Sequence, residues 1–191
     1  HIVLYLVRHG RTPINAEGRM QGRLDPPLDD VGHRQAAAMA KMVGEVDVVI
    51  SSPLARAVET AQYFGRPVTI DDRWVELAYG DYEGVPIGEV PPEVWQEWRS
   101  NSEYSTPGGE SFGELDGRVR RACEELRDQI ARHQIVVVSH VSPIKAAVAW
   151  ALGVTMEITF NCHLGQASLC RIDLGRFGPV LHSFNEHPPS C

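Results

Sequence analysis

The sequence feature that most constrains the fold is an apolar run at residues 2–7 that ends directly in Arg8, His9 and Gly10. The run is rich in β-branched residues and long enough to form a buried strand. Because a guanidinium and an imidazole are costly to bury without partners, they mark the point where the chain leaves the core. Ligands of open α/β sheets bind at this carboxyl end of the strands. We therefore expect Arg8 and His9 at a ligand-binding rim, although a surface loop could also carry such residues.

Two later segments repeat the order of an apolar strand, a short polar exit and a proline. The first is residues 46–53, followed by Arg56, and the second is residues 135–143, with His140 at its polar exit. If these strands are parallel neighbours of the first, all three exits meet at one rim and bring together two arginines and two histidines. Such groups repel one another as cations unless an anion lies among them. Phosphate is the natural anion, because arginine forks and the N–H groups of helix N-termini match its oxygens.

Strand and helix patterns alternate along the whole chain. Strand patterns lie at residues 46–50, 68–70, 135–138, 167–172 and 180–184. Helical patterns lie at residues 30–43, 53–64, 93–99, 112–130 and 142–152, with start signals at Asp29, Ser52, Ser111 and Ser142. This alternation predicts an α/β fold, a three-layer sandwich whose mostly parallel central sheet is flanked by helices.

Composition narrows the class of protein. The 191 residues are 43% hydrophobic and 23% charged, as in one globular domain. The formal charge is -7 and no block of Lys or Arg occurs, which argues against a general nucleic-acid binder but permits a small anionic substrate. No apolar run reaches the roughly 18 residues of a membrane span, and no signal-peptide pattern occurs, so we expect a cytoplasmic protein. The four cysteines are Cys123, Cys162, Cys170 and Cys191. None has C-x-x-C spacing, so we interpret them as ordinary thiols rather than metal ligands.

Six segments, in order and at similar spacing, resemble the landmarks of the phosphoglycerate mutase-like histidine phosphatase superfamily. They are residues 6–15, 21–32, 51–61, 76–84, 107–111 and 138–140. Each is weak alone, but together they span nearly the whole chain. The resemblance implies a phosphoglycerate mutase-like fold and one histidine phosphatase domain over residues 1–191, in which residues 77–109 form a capping insertion.

The resemblance also implies an activity and a set of site residues. It implies a metal-independent phosphomonoester hydrolase without a cofactor, which acts on a small phosphorylated metabolite through a phosphohistidine intermediate. His9, within the RHG motif of residues 8–10, would be the nucleophile, and Glu76 would be the proton donor and acceptor. The residues implied to hold or surround the phosphoryl group are Arg8, Arg56, His140, Asn15, Gln21 and Gly22.

The chemistry of these residue types agrees with the implied roles. An imidazole attacks phosphorus only through an unprotonated nitrogen, so the other nitrogen of His9 must donate a hydrogen bond, for example to a backbone carbonyl. Negative charge on the transferring phosphoryl group favours Arg8, Arg56 and a protonated His140 as a clamp. We therefore expect a neutral His9 and, around the phosphoryl group, a protonated His140.

Two departures from the family pattern bear on the reaction. Val141 follows the second histidine where the family often has glycine, and in this the chain resembles the alpha-ribazole phosphatase and acid phosphatase group. Mutases tend to carry basic residues in a longer insertion after the acid, whereas between Glu76 and Ser111 this chain has only Arg99 as a base. We therefore favour hydrolysis over phosphoglycerate mutase activity. The alternative from another class is a non-catalytic pseudophosphatase that binds a phosphorylated ligand or partner, against which the intact residue set argues.

The residues that would contact the rest of the substrate are less specific. Trp95 and Trp98 in the insertion would either form an apolar wall or simply fix the insertion in place. His163 and Gln166 precede a predicted strand and could face the site. We expect a small phosphate ester as the ligand, neither nucleic acid nor membrane as a partner, and a homodimer as one open alternative for the oligomeric state.

Overall fold

Period-two burial along the strands directs side chains to both faces of a central sheet. The structure is a computed structural model and describes residues 3–189. In β1, which spans Val3–Arg8, Leu4 and Leu6 enter one core layer, whereas Tyr5 and Val7 enter the other. Helices cover both layers, so the predicted three-layer α/β sandwich is confirmed.

The sheet has six strands, of which the first four in sequence are parallel. After β1 they are β2 (Val48–Ser51), β3 (Val68–Ile70), β4 (Ile135–Ser139), β5 (Leu169–Gly175) and β6 (Gly178–Glu186). Their spatial order is β3-β2-β4-β1-β5-β6. The hairpin of β5 and β6 adds two antiparallel strands beside β1, and the remaining pairs are parallel. The prediction of a mostly parallel sheet is therefore confirmed.

Two helices pack on each face of the sheet. The α-helices are α1 (Pro13–Ala16), α2 (Asp30–Val43), α3 (Ala55–Gln62), α4 (Pro92–Ser100), α5 (Phe112–Ile130) and α6 (Val141–Leu152). α2 and α3 cover the layer that contains Tyr5, and α5 and α6 cover the layer that contains Leu4. The predicted start signals of α2 and α5 are confirmed, since Asp29 accepts a hydrogen bond from Gly32 (2.8 Å) and Ser111 forms a capping box with Glu114. Among the described residues, no helix is long and apolar enough to cross a bilayer.

The register of the parallel strands brings the three polar exits to one rim. β4 lies between β1 and β2, with Arg8 opposite Ser139 and Ser51 opposite Val138. The next residues along the chain therefore leave the sheet side by side, as the repeated pattern predicts. This rim is the frame on which the candidate site is built.

The predicted start of α3 is wrong. Ser52 is not its N-cap, because the helix begins at Ala55 after an extended Leu54 that caps with no side-chain hydrogen bond. The Ser52 hydroxyl instead hydrogen-bonds His140 (2.7 Å), and Asp25 from a neighbouring loop accepts the N–H of Ala55 (2.7 Å). A carboxylate from a distant part of the chain thus caps the helix in place of the local serine.

The short helix α1 was not predicted, and other differences from the sequence-based expectation are at element ends. α6 begins at Val141 with His140 as its N-cap, one residue before the predicted Ser142. β1 and β4 each extend one residue beyond the apolar run, because Arg8 and Ser139 still take part in the sheet ladder. Ile2, predicted to open the first strand, and Cys191, predicted to be an ordinary thiol, lie outside the described residues.

Two glycines interlock where the exit of β1 crosses the first turn of α2. A Cβ atom on Gly10 would lie 2.4 Å from the carbonyl oxygen of Gly32, and a Cβ on Gly32 would lie 2.1 Å from the carbonyl oxygen of Arg11. Both distances are far inside van der Waals contact with backbone atoms, which cannot rotate away. The close approach fixes the loop that carries His9 against the helix.

We expect Gly32→Ala to destabilise the fold by about 1–3 kcal/mol, because the new methyl group overpacks this crossing. Helix propensity alone predicts the opposite sign, since alanine is favoured over glycine by about 1 kcal/mol in a helix. Gly88→Ala is the matched control, because a Cβ there meets no atom within 4 Å. Urea unfolding of both variants measures the effect, and a Gly32→Ala protein at least as stable as the wild type would contradict the close approach.

Candidate active site

A cavity of about 280 Å³ opens at the rim where the three strand exits meet. The predicted site residues that line it are Arg8, His9, Asn15, Gln21, Gly22, Arg56 and Glu76. The remaining one, His140, is not on the lining but its ring lies 5.0 Å from the ring of His9, centroid to centroid. The structure thus brings all the predicted residues together at one place, in a volume suited to a small ligand.

His9 is held with one nitrogen protonated and the other bare. Its Nδ1 donates a hydrogen bond to the carbonyl oxygen of Gly10 (2.7 Å), and since a carbonyl can only accept, Nδ1 carries the proton. Nε2 accepts a hydrogen bond from Nε of Arg56 (3.2 Å). Burial, and then the charges of Arg56 and Arg8, hold the pKa of His9 well below its usual value. The predicted neutral imidazole, with a backbone carbonyl as its partner, is therefore what the structure contains.

Arg56 lies in the first turn of α3 and is almost completely buried. Its terminal nitrogens donate to the carbonyl oxygens of Leu24 (2.6 Å) and Gly22 (2.7 Å), which fixes the guanidinium plane while Nε faces His9. Burial lowers the pKa of Arg56 to about 10, so the side chain stays charged at neutral pH. Gly22 adopts a φ of 53°, the left-handed region that glycine enters without strain, and this aims its carbonyl at the arginine.

Arg8 approaches the cavity from the end of β1. One terminal nitrogen donates to the carbonyl oxygen of Leu164 (2.6 Å), whereas its Nε has no hydrogen-bond partner among the residues that the structure describes. Burial lowers the pKa of Arg8, and the negative charge of Glu76 acts in the opposite direction. A buried donor without a partner at the edge of an anion-sized cavity is suited to bind an oxyanion.

His140 is buried beside other cations, which disfavours a proton on its ring. Burial, followed by the charge of Arg56, lowers its pKa well below the usual value. Its Nε2 hydrogen-bonds the hydroxyl of Ser52 (2.7 Å), and within residues 3–189 its buried Nδ1 has no partner. The protonated imidazole predicted from the sequence refers to the site with a phosphoryl group bound and stays a prediction.

Glu76 is buried, and its backbone is held by two arginines. Its carboxylate accepts the N–H of Leu77 (2.6 Å). Its carbonyl oxygen accepts hydrogen bonds from Arg23 (2.7 Å) and Arg118 (3.4 Å). Arg118 in turn forms a two-bonded pair with Glu110, with both distances 2.9 Å. Both the backbone and the carboxylate of Glu76 are therefore held by hydrogen bonds.

Asn15 and Gln21 are tied to the exit loop of β1 through Thr12. The Oδ1 atom of Asn15 accepts from the backbone N–H of Thr12 (3.1 Å), and Oε1 of Gln21 accepts from the Thr12 hydroxyl. Because both oxygens are used in this way, the amide NH₂ groups are the parts left to face a ligand. The loop of residues 19–25 is thereby fixed to the exit loop of β1, which carries His9.

Of the four residues considered for contact with the rest of the substrate, only Trp95 lines the cavity. Trp98 is buried in the core beside it. His163 is exposed and Gln166 lines a separate surface pocket, so neither faces the site. Sequence reasoning missed Lys145, which lines the cavity one helical turn after Val141. The signal available in the sequence was that spacing, i and i+4 on the helix that follows His140.

Within residues 3–189, no three His, Cys, Asp or Glu side chains are grouped so as to hold a metal ion.

Comparisons with known proteins include relatives of similar length and longer ones. A protein of Mycobacterium tuberculosis described as bifunctional is 37% identical over 176 residues, which are 87% of this chain and 48% of that protein. The chain thus spans about half the length of the mycobacterial relatives it matches. A putative phosphoserine phosphatase of Hydrogenobacter thermophilus is 32% identical over 90% of this chain and 89% of its own. A probable phosphoglycerate mutase of Yersinia pestis is 34% identical over 89% of this chain and 84% of its own.

The similarity extends to solved structures and to a family model. A mycobacterial glucosyl-3-phosphoglycerate phosphatase, solved in complex with VO3, is 29% identical with a TM-score of 0.86 over 97% of this chain and 100% of that one. The family model described as histidine phosphatase superfamily (branch 1) matches residues 4–187. With this match over nearly its full length, the chain belongs to the histidine phosphatase superfamily.

Proposed function

We propose that this protein hydrolyses phosphomonoesters of a small metabolite through a phosphohistidine at His9, without a metal ion. The observation that carries the proposal is the arrangement around His9, whose Nδ1 donates to the Gly10 carbonyl (2.7 Å) while its bare Nε2 faces Arg56 (3.2 Å). An unprotonated nitrogen beside a fixed guanidinium suits attack on phosphorus, because the nucleophile is ready and the phosphoryl charge is balanced.

In the first step, the lone pair of His9 Nε2 forms a bond to phosphorus as the bond to the ester oxygen breaks. The departing oxygen takes a proton from the carboxyl group of Glu76, so that an alcohol leaves. The phosphorylated imidazole keeps its Nδ1 proton, which the Gly10 carbonyl accepts in a hydrogen bond. Arg8 and Arg56 bind the phosphoryl oxygens throughout, which stabilises the transition state electrostatically.

In the second step, water attacks phosphorus on the side from which the alcohol left. The carboxylate of Glu76 accepts the proton of that water, the bond between phosphorus and Nε2 breaks, and its electron pair returns to His9. Inorganic phosphate leaves, and both side chains regain their starting protonation states.

We assign His140 a role that begins when phosphate binds. Its pKa is lowered by burial and by Arg56, and a dianionic phosphoryl group would offset both effects. We expect the imidazole to take up a proton then and to donate a hydrogen bond from Nδ1, the nitrogen that lacks a partner among the described residues. The clamp expected from the sequence would thus form only with the ligand.

The alternatives are separated by the fate of the phosphate. The relative named as a probable mutase supports phosphoglycerate mutase as the second candidate, whereas the relatives named as phosphatases support hydrolysis. A mutase primed with a bisphosphate moves phosphate between positions of phosphoglycerate, and a hydrolase releases it to water. A pseudophosphatase would bind phosphate without either reaction. Release of inorganic phosphate that resists a chelator supports the metal-independent hydrolase.

We also propose that residues 1–191 act as one domain and that residues 77–109 cover the cavity. Support comes from Tyr79, Ile87 and Trp95, which reach the cavity lining from this segment. Tyr79 also shares a side-chain hydrogen bond with Ser142 on α6, which links the segment to the rim. A cytoplasmic location, a homodimer, and the absence of nucleic-acid or membrane partners stay predictions from the sequence.

His9→Ala is expected to lower turnover of p-nitrophenyl phosphate by more than about 10³-fold, because the nucleophile is lost. The variant should also fail to retain acid-labile phosphate after incubation with labelled substrate. His33→Ala is the control, since His33 contacts Tyr63 on the surface and lies outside the cavity. Stoichiometric acid-labile labelling of the His9→Ala protein would contradict the assignment.

Glu76→Gln should separate the two steps. For an alkyl phosphate, whose alcohol needs a proton to leave, we expect turnover to fall by about 10²- to 10⁴-fold with no initial burst. For p-nitrophenyl phosphate the first step needs little acid, so a burst of one nitrophenolate per enzyme should precede slow steady turnover. Rapid mixing measures the burst, and equal losses on both esters without a burst would argue against the acid and base role.

Arg56→Lys should lower kcat/KM by about 10²-fold or more although it conserves the charge. A lysine has one nitrogen, which cannot occupy the positions of the three guanidinium nitrogens that donate to Gly22, Leu24 and His9. Arg34→Lys on the exposed surface of α2 is the matched control. Activity of Arg56→Lys within threefold of the control would show that the fork is not needed.

A further inference from the structure

Ser139 ends β4 on a face of the strand whose other members are apolar. The period of two places Ile135, Val137 and Ser139 on one face, and the first two enter the core layer that contains Leu4. The serine is completely buried. A buried hydroxyl costs free energy unless it forms a hydrogen bond. This position therefore requires a partner for the hydroxyl.

The partner belongs to the segment that carries Glu76. The Ser139 hydroxyl donates a hydrogen bond to the carbonyl oxygen of Trp74 (2.6 Å), two residues before Glu76. Trp74 is completely buried, so its carbonyl oxygen is shielded from solvent. A direct hydrogen bond thus ties β4 to the segment that presents the proposed acid.

The main chain of Ser139 also holds the proposed nucleophile. Its carbonyl oxygen accepts the N–H of His9 (3.2 Å), directly after Arg8 has paired with Ser139 in the sheet ladder. The next residue along β4 is His140, whose ring lies 5.0 Å from the ring of His9, centroid to centroid. Two hydrogen bonds of one residue therefore join the backbone of the nucleophile to the segment of the acid.

Two further carbonyls of the acid's segment are held by arginines from other elements. Arg118 on α5 donates to the carbonyl oxygen of Arg73 (2.6 Å), and Arg23 donates to that of Glu76 (2.7 Å). These contacts hold the segment against α5 and against the loop of residues 19–25. The bond from Ser139 is the one of the three that comes from β4, the strand next to the nucleophile. It therefore bears most directly on how far the acid lies from the nucleophile.

We propose that Ser139 is a positioning residue for the proposed acid, and that its hydroxyl sets the distance between the carboxyl group of Glu76 and His9. The inference rests on the proposed hydrolase function and adds one residue to it. In that reaction the ester oxygen leaves on the side of phosphorus opposite to Nε2 of His9, so the carboxyl group has to lie there to protonate it. A displaced acid donates its proton less well, whereas the phosphate-binding arginines keep their own backbone contacts.

A merely structural role for the hydroxyl predicts a different result. Loss of a hydrogen bond to a buried carbonyl lowers stability, and any loss of active protein lowers activity on all esters alike. Displacement of the acid lowers activity according to how much the leaving group needs a proton. Butyl phosphate needs the acid, whereas p-nitrophenyl phosphate needs it little. The ratio of kcat/KM for these two esters therefore separates the two roles.

Ser139→Ala should lower kcat/KM by about 10- to 100-fold for butyl phosphate and by less than about threefold for p-nitrophenyl phosphate. Ser51→Ala is the matched control, because Ser51 is an equally buried serine at the end of β2 whose hydroxyl donates to the carbonyl of Ser52 (2.8 Å). The control should keep the wild-type ratio. Where Ser139→Ala is too unstable to assay, Ser139→Cys keeps the side-chain volume with a weakly donating thiol and should shift the ratio in the same direction. An unchanged ratio in the variant assayed, or the same shift in Ser51→Ala, would overturn the positioning role.

The same substitution in a second background separates failure of this inference from failure of the proposed function. In a protein that already carries Glu76→Gln, Ser139→Ala should lower kcat/KM for butyl phosphate by less than about threefold, because no acid is left to misplace. Losses that multiply in the double variant would refute the positioning role and leave the acid role intact. Equal losses on both esters in Glu76→Gln alone, or no hydrolysis of either ester by the wild type, would overturn the proposed function and this inference with it.

Discussion

The site depends on one electrostatic constraint, which is that several cations share a small buried volume with few opposing charges. Glu76 is the one carboxylate among the residues that line the cavity. The cations are held instead by backbone carbonyls, those of Leu164 for Arg8, Gly22 and Leu24 for Arg56, and Thr159 for Lys145. A carbonyl dipole fixes a cation in position without cancelling its charge, whereas a carboxylate partner would neutralise it. The cavity therefore keeps a positive potential inside a protein of net charge -7.

The same constraint sets the protonation of the two histidines. Burial and the neighbouring guanidinium groups both oppose a positive charge, so the pKa values of His9 and His140 fall well below the usual value. For His9 this favours an unprotonated Nε2, the nitrogen that the proposed attack on phosphorus requires. For His140 it supplies a group whose charge would respond to an incoming dianion. The same burial and the same arginines thus act on both imidazoles, for which different roles are proposed.

The positions of these groups are set by backbone contacts between distant segments. Asp25, in the loop that binds Arg56, also caps α3, the helix from which Arg56 projects. Glu76 is held at its carbonyl by Arg23 from that same loop and by Arg118 from α5. The loop, the arginine and the proposed acid therefore cannot shift independently. Such coupling suits a site in which displacements below 1 Å alter the approach of nucleophile to phosphorus.

The residues that could be predicted from the sequence are those whose position follows from strand period and parallel register. Arg8, His9 and His140 end apolar strands, and Arg56 opens a helix directly after one, so topology alone brings them to one rim. Burial depth is not encoded in that pattern, so the lowered pKa of His140 could not be predicted from it. The start of α3 was wrong for a related reason, since a contact over many residues replaced the local cap.

Lys145 shows a different limit of pattern reasoning. From the sequence pattern, a single lysine in an apolar helix is expected to face solvent. Only the fold shows that the helix face with Val141 and Ser142 lines the cavity. A search for substrate-binding bases within residues 77–109 finds Arg99, which is exposed and lies over Phe160 outside the cavity lining. The base that reaches the cavity comes from α6 instead, so a lack of bases in that segment is no argument against a carboxylate on the substrate.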